Sequence, residues 1–301
     1  MSLNIRPYRE QDAERVLTVW NKWLPYDPLT RELLREKTLG DRDFDPDLTL
    51  ILEDNGEIVG FGQGLVRPWY EPGVGWIKLF AIQPGRYLDV GPELLRPLEE
   101  GLKNKGARLV QVFDSAPNYL MPGIDPRYTE MLVFFQRAGY TRYDDTSNMD
   151  APLEGASFDT SEREAKLRES GIEVKRADLA DRERVLEFVR EKFIQWVPEV
   201  DATFENDPVS LHVALVDGRV VAFSAYDANN RGTGWFGPMG TDPSLRGKGV
   251  GAVLYLRCLR DIQSQGHKKA IIPWVGPIAF YFRTSGALVS RVFWQYRKEL
   301  K

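Results

Sequence analysis

Apolar and polar residues follow two periods along the chain, and the same succession of periods occurs twice. Each half begins with a short strand pattern, a turn, and a helix pattern opened by acidic residues. The first copy runs from Ile5 to Leu17, and the second runs from Val174 to Leu186. Each half then has two β-branched runs separated by Asn55-Gly56 or by Asp217-Gly218. Because both positions of such a turn need a positive φ, these dipeptides predict a β-hairpin in each half.

The two patterns stay in register further along the chain. Each half continues with a Gly-Trp strand start, a turn containing proline and glycine, a helix, and a second strand led by glycine. Gly91 and Gly251 are 160 positions apart, and so are Gly106 and Gly266. Because unrelated segments do not keep both order and spacing, we predict a duplicated α/β domain.

The length of 301 residues fits two such domains. We predict the first domain at residues 1–150 and the second at residues 172–301. Residues 151–171 are predicted to be a linker with a short helix, because Ser161 and Glu164 have the spacing of a capping box.

The composition excludes several classes of function. The chain is 43% hydrophobic and 28% charged, as ordinary globular proteins are. Its net charge of −4 offers no overall positive field for nucleic acid. A single cysteine, Cys258, excludes an intrachain disulfide, and two histidines, His212 and His267, argue against a metal centre. We therefore expect neither nucleic acid nor metal as a partner.

Membrane and targeting segments are not evident either. Charged residues such as Arg6 and Arg9 stand where a signal peptide would be apolar. The uncharged stretch 270–282 contains Pro273 and is shorter than the about 20 residues that a membrane span needs. The sequence therefore predicts a cytoplasmic protein without a membrane partner, either a monomer or a homodimer.

The sharpest local feature is the turn Arg246-Gly247-Lys248-Gly249-Val250-Gly251, which follows a strand ending at Met239-Gly240-Thr241. Apolar residues recur every fourth position after it, as on one face of a helix, at Val250, Leu254, Cys258 and Ile262. The glycines therefore connect a strand to a helix N-terminus, whose first N–H groups have no intrahelical partner. Such a terminus binds phosphate, and Arg246 and Lys248 add positive charge.

Two other phosphate-binding motifs resemble this turn in part. A Walker A loop places Ser or Thr after its Gly-Lys pair, whereas Gly249 follows Lys248 here. The dinucleotide pattern G-x-G-x-x-A is satisfied by Gly247, Gly249 and Ala252, but the next strand, 270–272, lacks the acidic residue that would hold the ribose. Dinucleotide binding stays open as an alternative.

These residues resemble the GNAT superfamily of acyl-CoA-dependent N-acyltransferases. The superfamily signature is a strand, a proline, and Gln/Arg-x-x-Gly-x-Gly/Ala opening a helix, which residues 246–251 match. The resemblance covers nearly the whole chain as two copies, like tandem members such as mycothiol synthase. It implies two domains, each with a mixed, mostly antiparallel central sheet flanked by helices.

The resemblance also implies ligands and roles. The amides from Arg246 to Gly251 would hold the pyrophosphate of coenzyme A. Met239, Gly240 and Thr241 would pair with the pantetheine arm and polarise the thioester carbonyl. Acetyl-CoA would be the co-substrate, and the acceptor would be a primary amine on a small molecule or a peptide. A noncatalytic protein that binds or senses acyl-CoA is the alternative from another class.

Tyr281 is the candidate general acid. The superfamily often uses a tyrosine four residues before the glycine of its last helix, here Gly286, but Phe282 stands in that register and Tyr281 one position earlier. For the base, the candidates are scattered polar residues of the second half, namely Glu199, Glu205, His212, Asp227 and Asp242.

The first half has a different turn. Arg86 and Gly91 are kept, but Tyr87 and Asp89 replace the first two glycines. A side chain there blocks close approach of the backbone, and a carboxylate repels phosphate. We predict that the first domain is a degenerate copy that binds coenzyme A poorly or not at all.

Overall fold

The chain folds into antiparallel strands covered by helices, as seen in a computed structural model that describes residues 2–300. Two compact units result. The first comprises the residues up to 146 together with those from 292 onward, and the second comprises residues 147–291. The last strand therefore delivers the C-terminal residues to the first unit.

The first unit has a sheet with helices on both sides. Its elements are β1 (Leu3–Pro7), α1 (Ala13–Trp23), α2 (Arg31–Lys37), β2 (Thr49–Asp54), β3 (Glu57–Val66), β4 (Val74–Ile82), α3 (Tyr87–Asn104), β5 (Leu109–Val112), α4 (Thr129–Arg137) and the first part of β6 (Thr141–Pro152). Strands β1 to β4 pair antiparallel in chain order, and β5 lies parallel to β4.

The second unit repeats this order. Its elements are the rest of β6, α5 (Ser161–Glu169), β7 (Ile172–Arg176), α6 (Arg182–Lys192), α7 (Val197–Ala202), β8 (Leu211–Val216), β9 (Arg219–Tyr226), β10 (Phe236–Thr241), α8 (Val250–Ser264), β11 (Lys269–Ile272), α9 (Ile278–Ser285) and the start of β12 (Leu288–Glu299). Strands β7 to β10 form an antiparallel sheet, and β11 pairs with β6. The remainder of β12 pairs with β5 in the first unit.

The duplication predicted from the pattern is visible in local details. Both hairpin turns form with positive φ at both residues, 52° and 86° at Asn55-Gly56 and 49° and 75° at Asp217-Gly218. Asp12 and Asp181 make the same local contact in the two units: each side chain accepts a hydrogen bond from the backbone N–H three residues earlier. The predicted α/β class with mostly antiparallel sheets is therefore confirmed.

Each unit has its own apolar core. Trp20, Phe61 and Phe80 are fully buried in the first. In the second, one core lies under α8, and its helix face buries Val250, Leu254, Cys258 and Ile262 as the period of four predicts. Burial of this face fixes the helix on the sheet, so that the glycine turn before it is held at the end of β10.

Candidate active site

The glycine turn forms a loop of exposed residues that leads into α8. Gly247 and Gly249 have φ of 81° and 83°, a region that other L-residues rarely adopt. Gly249 is the N-cap of α8, and the first hydrogen bond of the helix runs from the Val253 N–H to the Gly249 carbonyl, 3.1 Å. The amides of residues 250–252 therefore precede the intrahelical ladder and are directed out of the helix end.

The loop also has an uncompensated positive charge. Arg246 and Lys248 are exposed, and within residues 2–300 neither forms a salt bridge. The loop is stiffened upstream, where the Asp242 side chain accepts from the N–H of Ser244, 2.9 Å, and from its hydroxyl, 2.7 Å. Two free cations and the positive end of a helix dipole together favour an anionic ligand.

Strand β10, which precedes the loop, has one open edge. It pairs with β9 on one side, and its other side touches β11 through a single parallel bridge between Trp235 and Ile271. Beyond that bridge β11 ends at Ile272, whereas β10 continues to Thr241. Met239, Gly240 and Thr241 therefore lie where backbone N–H and C=O groups on one side of the strand lack a strand partner, among the described residues.

A bulge redirects β10 at this point. The register with β9 shifts between Phe236 and Met239, with Gly237 at φ of 113° and Pro238 inside the shift. Sequence reasoning named Met239 to Thr241 but missed these two residues. A Gly-Pro pair inside a strand pattern was the available signal, because proline occurs on edge strands and at bulges.

An aromatic cluster packs against one face of β10. Phe193 and Trp196 stack with ring centroids 5.3 Å apart, and Phe223 meets both edge-on. On the other face, the Met239 side chain approaches Gly251 at the start of α8. Gly251 therefore allows β10 and the helix N-terminus to lie close together.

Tyr281 is buried in α9, within an aromatic group that includes Phe236 and Tyr255. Its hydroxyl has no hydrogen-bond partner among residues 2–300. Burial, with a smaller effect of Cys258, raises the pKa of Tyr281, so the phenol keeps its proton at neutral pH. Phe282, the residue in the expected register, is 56% exposed. The helix therefore turns Tyr281 and not Phe282 toward the core.

The candidate bases occupy structural positions. Asp227 accepts from the Gly232 N–H, 3.0 Å, and from Gln265 Nε2, 2.9 Å. Glu205 pairs with Arg231, 3.2 Å. Asp242 caps the turn before the loop, and its hydrogen bonds to Ser244 lower the pKa of its carboxyl. These contacts identify roles in folding for all three carboxylates.

His212 belongs to a buried ionic group. Its Nε2 lies 2.5 Å from Asp261 Oδ2, which also accepts from Arg176, 2.8 Å. Burial lowers the pKa of His212, although Asp261 opposes this effect.

Cys258 lies one turn before Asp261 on α8 and is buried. Its Sγ lies 3.4 Å from the Ser224 carbonyl oxygen, and burial raises the pKa of its thiol. The cysteine is therefore an inert core residue, as the sequence predicted.

In the first unit, side chains fill the stretch equivalent to the glycine loop, residues 86–91. Tyr87 is buried at the start of α3, and Arg86 pairs with Asp54, 3.1 Å. A Cβ on Gly91 would lie 2.7 Å from the Phe134 ring, so this glycine serves to pack two helices. The helix start of the first unit is thus filled by side chains where that of the second is bare.

No helix within residues 2–300 is long and apolar enough to cross a bilayer. The same residues contain no group of three or more His, Cys, Asp or Glu side chains arranged to hold a metal ion.

Comparison with known proteins connects this geometry to one family. Residues 177–281 match the family model described as the acetyltransferase (GNAT) family. No curated protein sequence matches the chain. The matched segment contains β10, the glycine loop and Tyr281, so the similarity to the family covers the candidate site.

Solved structures show the same fold over the whole chain. A GCN5-related glucosamine N-acetyltransferase region of a fungal multi-domain GH3 β-N-acetylglucosaminidase is similar with a TM-score of 0.80 and 19% identity, covering 99% of this chain and 38% of that one. A GCN5-related N-acetyltransferase from Sphaerobacter thermophilus has a TM-score of 0.73 and 17% identity, over 99% of this chain and 95% of the other.

A tandem GNAT protein from the clavulanic acid biosynthesis pathway is similar over 99% of this chain and 98% of its own, with a TM-score of 0.69 and 14% identity. The predicted resemblance to tandem GNAT proteins is thereby confirmed.

Proposed function

We propose that the protein transfers an acetyl group from acetyl-CoA to a primary amine, and that the second unit, whose residues 177–281 match the acetyltransferase (GNAT) family model, performs the transfer. The main support is the loop 246–251 at the end of an open strand edge. A Cβ on Gly247 or Gly249 would meet no atom within 4 Å, so space remains beside the loop amides. Charge-assisted hydrogen bonds from such amides suit a pyrophosphate.

The residues have distinct roles in this proposal. The amides of Arg246 to Gly251 hold the pyrophosphate, with Arg246 and Lys248 adding charge. The open edge at Met239, Gly240 and Thr241 holds the extended pantetheine arm, and its N–H groups polarise the carbonyl. Acetyl-CoA supplies the activated thioester.

Tyr281 is proposed as the proton donor. Its raised pKa keeps the phenol protonated, and its hydroxyl is not engaged by another residue within 2–300. A group that protonates a departing thiolate must carry its proton at the working pH and must not be engaged by another residue. The incoming amine, on a small molecule or a peptide, loses its proton to solvent, because the nearby carboxylates are committed to caps and ion pairs.

The proposal is tested by coenzyme A release from acetyl-CoA against a panel of primary amines. Turnover above the rate without amine supports it. Coenzyme A binding without turnover across a broad panel supports the noncatalytic acyl-CoA binder instead. A rise in Tm with NAD and none with coenzyme A supports the dinucleotide alternative and overturns the main proposal.

A further inference from the structure

The first unit contains a group of buried ionic side chains. Lys78, in β4, donates from Nζ to the Lys37 carbonyl, 2.7 Å, and pairs with Asp41. Arg67 also binds Asp41, through Nη1, 3.0 Å, and Nη2, 2.8 Å. Asn118 Nδ2 donates to the same carboxylate, 2.9 Å. Lys78, Arg67 and Asp41 are all buried, so the unit carries a charged interior.

The first unit also contains buried polar atoms without hydrogen-bond partners. The buried side-chain atoms that lack a hydrogen bond in the first unit, among described residues, are Gln63 Nε2 and Oε1, Arg67 Nε, Asp114 Oδ1 and Ser115 Oγ. Gln63 and Ser115 are 0% exposed. Such atoms cost free energy unless a ligand or water satisfies them, so their concentration in one region requires an explanation.

Backbone topology brings these side chains together. Gln63 pairs with Leu79, and Lys78 is the extra residue of a bulge at that point of the β3–β4 ladder. Because side chains two apart on a strand share a face, Gln63 and Leu65 are directed to the same side of β3, and Arg67 follows directly after that strand. Gln63 is therefore placed next to the bulge that carries Lys78, a member of the ion group.

The segment after β5 closes the region from the other side. The Phe113 N–H bonds to the Ile77 carbonyl, 2.9 Å, and the Pro117 carbonyl accepts from Arg67 Nη2, also 2.9 Å. Asp114 and Ser115 lie between these two anchors. They are therefore held next to the bulge on one side and the guanidinium on the other.

We propose that this region of the first unit is a binding site for a small carboxylate, held by Gln63, Arg67, Asp114 and Ser115. Donors predominate among the unpartnered groups: Gln63 supplies two N–H bonds, and Arg67 Nε and the Ser115 hydroxyl one each. Tyr143 binds the other oxygen of Asp114. A protonated Asp114 adds a further donor, and the two oxygens of a carboxylate offer about four acceptor sites to this set.

The ion pairs of the region join Lys37, Arg67 and Lys78 to Glu36, Asp41 and Asp43. A bound anion is therefore held by the neutral donors and by the Arg67 guanidinium, not by an excess of positive charge. The less buried residues in contact with this group or with one another are Asp43 and Trp69.

Acetate is the probe, and the full chain is used. Melting temperature is measured against sodium acetate, against sodium chloride at equal ionic strength, and against neutral acetamide. A saturable rise with acetate alone supports the site. If acetate raises the melting temperature no more than chloride does, only water occupies the region. If acetamide raises it as much as acetate does, the region binds a neutral ligand. Either result overturns the proposal.

Two variants locate the effect. Gln63→Leu removes both unpartnered amide atoms at nearly constant volume, and we expect the acetate affinity of the folded variant to fall about tenfold or more. Gln295→Leu is the matched control, because Gln295 is buried in the same unit but its Nε2 already donates to Pro122, 3.1 Å. It keeps the acetate response. If Gln63→Leu responds like the wild type, the site is wrong.

Ser115→Ala gives a second, smaller change in case Gln63→Leu does not fold. It must also weaken the response to acetate. Acetyl transfer by the second unit is expected to be the same in all three variants, so this proposal and the proposed function fail independently.

Discussion

Phe193 occupies the space that a side chain at Gly240 would need. A Cβ on Gly240 would lie 2.7 Å from Phe193 Cε2 and 2.9 Å from Phe223 Cε1. The phenyl ring cannot move aside freely, because it is stacked on Trp196. The open edge of β10 is therefore held in place by an aromatic cluster on its other face.

Gly240→Ala tests this relationship. We expect the substitution to displace Phe193 or shift β10, at a cost of about 1–3 kcal/mol in the free energy of unfolding, with a fall in acetyl transfer. Urea unfolding and initial rates measure the two effects. Gly276→Ala is the matched control, since a Cβ there meets nothing within 4 Å. Equal stability and activity in the two variants would contradict the prediction.

A substitution at Gly249 tests whether the loop 246–251 binds the pyrophosphate of coenzyme A. A side chain at its φ of 83° costs about 1–2 kcal/mol, and Gly249→Glu adds negative charge beside the loop amides. We expect coenzyme A binding to be lost in calorimetry. Gly218→Glu is the control, because Gly218 has a φ of 75°, equally open surroundings and a place in a hairpin turn. It should lose similar stability and keep coenzyme A affinity; loss of affinity in both would show that strain alone is responsible.

Tyr281→Phe separates packing from proton donation. The ring keeps its contacts with Phe236 and Tyr255, and the hydroxyl has no partner within residues 2–300 to lose, so stability should change by less than about 0.5 kcal/mol. We expect kcat to fall about 10²-fold or more, with coenzyme A affinity unchanged. Tyr255→Phe loses a hydroxyl that already bonds Ser285, 2.7 Å, and should retain turnover. A normal kcat for Tyr281→Phe would remove Tyr281 as the acid.

The first unit should not bind coenzyme A. Its helix start is filled by Tyr87, its Arg86 is paired with Asp54, and its Gly91 lies under Phe134. Calorimetry is therefore expected to give one coenzyme A per chain. Gly249→Glu should then abolish all binding, whereas a residual site in that variant would locate a second coenzyme A in the first unit.

Asp114 should make stability depend on pH. Burial raises the pKa of this carboxyl to about 8, against about 3.9 in an unfolded chain. The native state therefore binds more protons than the unfolded state between these values, and this contribution to stability is lost as pH rises from about 4 to 8. Asp114→Asn keeps an acceptor for Tyr143 and removes the titration. Its unfolding free energy should fall less steeply than that of the wild type across this range; parallel curves would contradict the prediction.

Lys78 should act in the opposite direction at higher pH. Burial, opposed by Asp41, lowers the pKa of its ammonium to about 7, whereas the unfolded value is about 10.4. The native state binds fewer protons between these values, so stability from this group rises with pH from about 7 to 10. Lys78→Met should flatten that rise in urea unfolding at pH 7 to 9.5. An unchanged slope would mean that Lys78 keeps an ordinary pKa when folded.

Local sequence was sufficient for the repeat, the hairpins and the helix after the glycine loop. Asn55-Gly56 and Asp217-Gly218 form their turns because few other residue pairs accept two positive φ values in succession. Val250, Leu254, Cys258 and Ile262 are buried because a period of four places them on one helix face. In both cases the deciding forces act between residues close in the chain.

Tertiary structure decided the rest. The packing of α9 against Phe236 and Tyr255 decides that Tyr281, and not Phe282, is buried. The two residues are adjacent in the sequence, so the sequence alone did not show which of them points inward. The open edge of β10 exists because β11 pairs with β6 and meets β10 at only one bridge. The buried polar groups around Gln63 come from two separate segments of the chain, residues 63–67 and residues 114–115. Such contacts depend on strand order and bulges, which short-range patterns do not encode.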